Sequence, residues 1–132
     1  MMQTDPRTAS TAALAYLGDA VLELLARKRL LETGYASAKS LNAHAREYVT
    51  APAQAAAMAR IAPHLTEEED AVFHRGRNIG HTNTPKSATV SEYRAATGME
   101  ALFGYLWLAK AHERMRELFR AAYKLDEDTN NI

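Results

Sequence analysis

The sequence predicts an all-α domain. Three observations carry that expectation: apolar residues recur at helical spacing along most of the chain, alanine is abundant, and no alternating β-branched run of useful length occurs. At 132 residues the chain is the size of one ordinary domain and can bury a core without disulfides or a structural metal. One domain is expected over 1–132, with a core at 11–122 and frayed ends at 1–8 and 125–132.

The breakers mark the joints between helices. Thr8, Ser10 or Thr11 can cap a first helix, whose Leu14, Leu17, Val21, Leu24 and Leu25 form an apolar stripe ending near Gly34. A second helix begins near Ser37. Thr50-Ala-Pro52 supplies an N-cap and an early proline for a third, which ends before Pro63. Thr66-Glu-Glu-Glu69 reads as a capping box opening a fourth, with its acids placed where the helix dipole favours them. Gly76, Gly80, Asn83 and Pro85 then break the pattern, which predicts a polar loop over 76–88. Loops of that length in compact domains are disproportionately functional. A fifth helix is expected over 91–108, and a sixth, or its continuation, reaches Tyr123.

Composition excludes several function classes. There is no cysteine, hence no disulfide framework, thiol nucleophile or thiolate zinc site. The histidines His44, His64, His74, His81 and His112 have no metal-ligand spacing, and no Gly-rich phosphate loop or Ser-His-Asp arrangement is evident. No signal segment or membrane-spanning run is found, so a soluble cytoplasmic protein is expected. Sixteen basic and sixteen acidic residues balance to zero, which argues against a protein that simply coats nucleic acid. The balance is uneven locally, however: residues 71–96 carry Arg75, Arg77, Lys86 and Arg94 against Glu92 alone.

Two acids stand out. Asp19 lies in Leu17-Gly-Asp-Ala-Val-Leu22 and Glu100 in Glu100-Ala-Leu-Phe-Gly-Tyr-Leu-Trp-Leu108, each alone among apolar helix-forming residues. A carboxylate in apolar surroundings is costly unless paired, hydrogen-bonded or metal-bound. On a helical wheel each acid opposes the main stripe of its helix, Asp19 beside Ala15, Leu22 and Ala26, Glu100 beside Gly104, Trp107 and Ala111. Between Arg94 and Lys110 Glu100 is the only charge, so that helix should be buried nearly all round. Two convergent carboxylates suit a hard cation such as Mg²⁺ and metal-assisted phosphodiester hydrolysis; pairing with arginine or capping another helix is the alternative. Phe103, Tyr105 and Trp107 are expected in the core or a dimer contact rather than against nucleobases.

Leu14-Ala-Tyr-Leu-Gly-Asp-Ala-Val21 resembles the signature helix of the ribonuclease III catalytic domain, and the Glu100 segment resembles that domain's second acidic helix. With Leu65-Thr-Glu-Glu-Glu-Asp-Ala-Val72, Arg75-Gly-Arg-Asn78, Thr84-Pro-Lys86 and Tyr93-Arg94 followed by Thr97, the order resembles the Mini-ribonuclease III family over roughly 11–122. The resemblance implies a ribonuclease III-like helical bundle acting as a homodimeric endonuclease. It implies cleavage of double-stranded RNA with Mg²⁺, Mn²⁺ being a possible substitute, in the trimming of large-subunit (23S) ribosomal RNA precursors. Asp19 and Glu100 match the family's catalytic, metal-binding carboxylates, and the products would be a 5′-phosphate and a 3′-hydroxyl. Larger ribonuclease III enzymes carry two further acids where this chain has Ala15 and Thr97, a reduction that the Mini family shares. Glu23, one turn beyond Asp19, is read either as an outer acceptor or as solvated.

The match ends close to the chain's end, so RNA is expected to be held by the dimer itself. A-form RNA is recognised through shape, 2′-hydroxyls and phosphates. The candidate contact surface is Arg75, Arg77, Asn78, His81, Thr84, Lys86 and Arg94, with ordinary solvated charge as the alternative. A rival reading for the whole chain is a non-catalytic RNA-binding or helical interaction protein that keeps the fold, made plausible by Ala15 and Thr97.

Overall fold

The computed structural model describes residues 5–79 and 88–125. Among them are six α-helices: α1 (Thr11–Glu32), α2 (Ala38–Val49), α3 (Ala51–Ile61), α4 (Glu67–Arg77), α5 (Val90–Leu108) and α6 (His112–Ala122). A single 3₁₀ turn, Ala62–His64, carries Pro63 between α3 and α4. No strand occurs among the described residues, as the helical periodicity predicts.

Local chemistry starts these helices where the sequence places it. Ser10, Ser37, Thr50 and Thr66 each accept a hydrogen bond from a backbone N–H in the first turn of α1 to α4. Thr66 and Glu69 close a full capping box, with the Glu69 carboxylate accepting from the Thr66 amide at 2.9 Å. The same device opens α5 one residue before the expected start, through Thr89 and Glu92. Before α1, residues 5–9 form a turn in which the amides of Thr8 and Ala9 donate to the Asp5 carbonyl. After α5 the chain reverses through Lys110 at φ 59° and starts a separate α6.

The core is built around α5. Every residue from Ala96 to Leu106 is buried except Glu100, and α1, α3, α4 and α6 pack against this helix, while α2 bridges α1 and α3. Phe103 is fully buried at its centre, among Leu14, Leu22, Met58, Ile61, Met99, Leu102, Met115 and Leu118.

Three expectations change. Leu24, assigned to the α1 stripe, is 53% exposed, because the buried face of α1 centres on Gly18 and Leu22, which keeps Leu14, Val21 and Leu25 of that stripe in the core and leaves Leu24 outside. Trp107, expected in the core or a dimer contact, is 36% exposed in the single chain, its ring edge-on to His112 with centroids 5.0 Å apart, which leaves only the second alternative. Gly76 does not open a loop: it lies inside the last turn of α4, and a Cβ there would come within 2.7 Å of the Ala101 Cβ and 2.8 Å of the Gly98 Cα. Its role is to let α4 lie close on α5, and the helix ends at Arg77. Of the predicted loop, residues 80–87 lie outside the described residues.

Glu69 does more than cap. Arg114 on α6 donates to both its carboxylate oxygens, at 2.9 and 2.8 Å, and to the His64 carbonyl at 2.8 Å. That guanidinium holds the buried Glu69 carboxyl below its ordinary value, and the bidentate pairing locks the start of α4 to α6.

Candidate active site

The two acids meet because their helices touch backbone to backbone. A Cβ on Gly18 would sit 1.6 Å from the Glu100 carbonyl oxygen and 2.9 Å from the Gly104 amide nitrogen. A Cβ on Gly104 would sit 2.0 Å from the Leu14 carbonyl oxygen and 3.0 Å from the Gly18 nitrogen. Only residues without side chains permit this crossing. Asp19 directly follows one glycine and Glu100 lies one turn before the other, so the crossing carries two carboxyl groups, 81 positions apart in sequence, to one place.

Their electrostatics record the encounter. Burial pushes the Glu100 carboxyl up to about 8, and the Asp19 charge and a hydrogen bond between the two carboxyl groups push the same way. A carboxyl held at about 8 favours its protonated form at neutral pH, so Glu100 is the neutral partner beside Asp19. Glu100 is half-buried and Asp19 exposed, so the pair opens to solvent on the α1 side. Neither acid is locked to an arginine among the described residues, unlike Glu69.

Among the described residues the surroundings add no further acid. Ala15 and Thr97 are both buried, and the Thr97 hydroxyl donates to the Tyr93 carbonyl at 3.1 Å. Glu23 stays partly exposed at the surface, where its carboxylate accepts from Arg27 at 3.1 Å one turn further on. Among the described residues no group of three or more His, Asp or Glu side chains could hold a metal ion. Two hard oxygen donors, crowded and open to water, nevertheless fit a hard divalent cation that keeps most of its waters, since Mg²⁺ commonly binds one or two carboxylates and substrate phosphates.

The basic candidates divide. Arg75, Arg77 and Asn78 lie at the end of α4 and Arg94 in the second turn of α5, all exposed. Arg77, Asn78 and Arg94 line one notch together with Val90 and Ser91. Arg75, two residues from Arg77, points about 160° away round α4 and is not part of it. His81, Thr84 and Lys86 lie outside the described residues. Ser91 is a contributor the sequence reading passed over, and its position in the first turn of α5 beside Arg94 was the available signal.

Comparison with known proteins places this geometry in a family. The Ribonuclease III domain model matches residues 12–111, which span both acids and the glycines between their helices. The Mini-ribonuclease 3 of Symbiobacterium thermophilum is 49% identical over 92% of this chain and 94% of its own. That of Enterococcus faecalis is 43% identical over 89% and 91%. A crystal structure of a Fusobacterium nucleatum protein, 36% identical, superposes with a TM-score of 0.81 over 92% of this chain and 97% of that one. The chain belongs to the ribonuclease III family, among its Mini-ribonuclease 3 members.

Proposed function

We propose that the protein is a divalent-metal-dependent endoribonuclease that hydrolyses phosphodiester bonds in double-stranded RNA at Asp19 and Glu100, with Mg²⁺ as the ordinary metal and Mn²⁺ as a substitute. The carrying observation is the pair itself, two carboxyl groups from distant helices held together with the Glu100 carboxyl pushed up to about 8. The names of the relatives support the reading. The proposed substrate is a large-subunit (23S) ribosomal RNA precursor, and the compartment is the cytoplasm, where that RNA is made.

Asp19 and Glu100 would hold the cation. A bound Mg²⁺ supplies positive charge to the phosphoryl group and acidifies the attacking water. The chain's own part is positional. The Gly18 and Gly104 crossing fixes the helices that carry the two carboxyl groups, and the exposed Asp19 leaves the pair accessible from solvent. Glu100 would release its proton on holding the cation, whose charge would then neutralise the pair. Water adds to phosphorus as it loses a proton to solvent, the bond from phosphorus to the 3′ oxygen breaks, and that oxygen takes a proton from solvent, leaving a 5′-phosphate and a 3′-hydroxyl. Arg75, Arg77, Asn78, His81, Thr84, Lys86 and Arg94 are the proposed RNA contacts.

A homodimer belongs to the same proposal. Tyr16, Leu24 and Leu31 are 86%, 53% and 61% exposed. With Ala13 and Ala20 they fall within about 80° on the outer face of α1, and Asp19 flanks that stripe. An apolar stripe of this kind favours a second copy over water. Leu24→Asp combined with Leu31→Asp is expected to convert a dimer to a monomer in light scattering, with helicity retained. A dimeric double variant would contradict the assignment of this face.

The rival reading, an RNA-binding protein that keeps the fold without cleaving, is favoured by Ala15 and Thr97, which supply no carboxylate. Incubating labelled duplex and single-stranded RNA with the wild type and Asp19→Asn, in Mg²⁺ or in EDTA, separates the two. The proposal predicts cleavage of duplex alone, only by the wild type and only with metal. Binding without cleavage under every condition would favour the rival.

A further inference from the structure

We infer that the notch between the end of α4 and the start of α5 binds one phosphodiester of the duplex RNA backbone, away from the bond being cut, through Arg77 and Arg94 together, with Asn78 and Ser91 as neutral donors. The inference rests on the endoribonuclease reading and adds an anchoring subsite to it. The notch has a volume of ≈ 350 Å³ and is lined by Arg77, Asn78, Val90, Ser91 and Arg94. Two guanidinium groups from different helices thus border one small cavity, and both arginines are exposed.

Like charges brought together are unfavourable unless an anion joins them, and among the described residues no acid pairs with either arginine. Glu92, two residues before Arg94, is turned back into the helix cap, where it accepts from the Thr89 amide at 2.9 Å. It lines the neighbouring groove of Ala55, Met58, Ala59, Ala62 and Phe73, which Arg77 and Ser91 also border, and does not line the notch. The rim is therefore cationic and donor-rich, the chemistry that takes a phosphate oxygen in fork geometry.

Placement matches an anchoring role rather than a catalytic one. Arg94 precedes Glu100 by six residues, which puts it about 9 Å along the α5 axis and about 120° round it from the acid pair. Phosphate contacts of this kind fix register and orientation and carry no sequence information.

The test uses full-length protein in EDTA and a fluorescent RNA duplex, with the dissociation constant measured by anisotropy across a potassium chloride series. Arg77→Ala combined with Arg94→Ala is expected to weaken binding at least tenfold. The slope of log affinity against log salt should fall by about 1, the signature of one lost phosphate contact. Lys39→Ala combined with Arg46→Ala removes the same formal charge from exposed sites on α2 and serves as the comparison. Near wild-type binding by the α4 and α5 double variant, or an equal loss from the α2 pair, would overturn the notch. Thermal melting of both variants confirms that each is folded. Cleavage of the same duplex with Mg²⁺ is scored separately, so a wild type that cleaves while the double variant binds normally rejects the notch alone. A wild type that binds through the notch without cleaving rejects the catalytic reading alone.

Discussion

Glu100→Gln is expected to lower duplex cleavage by about a thousandfold or more while making the metal-free protein more stable at pH 8. The first effect follows from removing one of two cation-holding carboxylates, since metal stabilisation of the transferring phosphoryl group is worth several kcal/mol and each ~1.4 kcal/mol is a factor of about ten. The second follows from the proton. In the folded protein the Glu100 carboxyl is pushed up to about 8, against an ordinary 4.5 in the unfolded chain. Between those values the native state holds a proton that the unfolded state has released. The stabilising contribution of the neutral carboxyl is therefore complete below about 4.5 and is lost as pH rises through about 8. Glutamine keeps a neutral donor toward Asp19 at every pH. In EDTA the wild type should lose melting temperature from pH 5 to pH 8, the Glu100→Gln variant should lose less, and the two curves should separate most at the alkaline end. Parallel curves would mean that burial and the Asp19 charge do not push the Glu100 carboxyl up.

Gly18→Ala should be among the most destabilising single substitutions in the molecule. The added methyl would stand 1.6 Å from the Glu100 carbonyl oxygen and 2.5 Å from its carbonyl carbon. Both are backbone atoms in the middle of a buried helix, so no rotamer change relieves the clash and α1 must back away from α5. Overpacking of this kind costs up to ~3 kcal/mol and occasionally more, against a total stability of about 5–15 kcal/mol for a domain. Because the clash is with Glu100 itself, the separation also parts the acid pair. Urea denaturation should show the midpoint falling sharply, and residual folded protein should cleave poorly. A midpoint like that of the wild type would refute the close crossing. Gly104→Ala, with a methyl 2.0 Å from the Leu14 carbonyl oxygen, should reproduce the effect from the other helix.

The contrast between these two residues bears on what the sequence could disclose. Helix starts were readable because a cap is a local event: Ser10, Ser37, Thr50 and Thr66 bond to amides within three residues of themselves. The box at Thr89 and Glu92 has the same pattern and was masked by the polar loop before it. What depends on the mutual rotation of helices was less readable. Leu24 sits on a plausible stripe, yet the glycine face of α1 won the core, because Gly18 allows α5 closer than any leucine could. Arg114 lies 45 positions from Glu69 with no signal linking them.

Asp19 and Glu100 were legible as unexplained charges, and family resemblance joined them on paper. The physical clue to their meeting was the glycine beside each, on helices otherwise rich in larger apolar residues. The RNA-contact candidates were legible only as a basic stretch. Helix geometry divides Arg75 from the notch that Arg77 and Arg94 share, a distinction that linear proximity conceals.

Calorimetric titration of Mn²⁺ into the wild type, Asp19→Asn and Glu100→Gln at pH 7, in two buffers of different ionisation enthalpy, tests the central claim most directly. The paired-carboxylate account predicts binding by the wild type accompanied by release of a proton, and loss of both the affinity and the proton release in each variant. Equal Mn²⁺ affinity in all three proteins, or binding by the wild type without proton release, would contradict it.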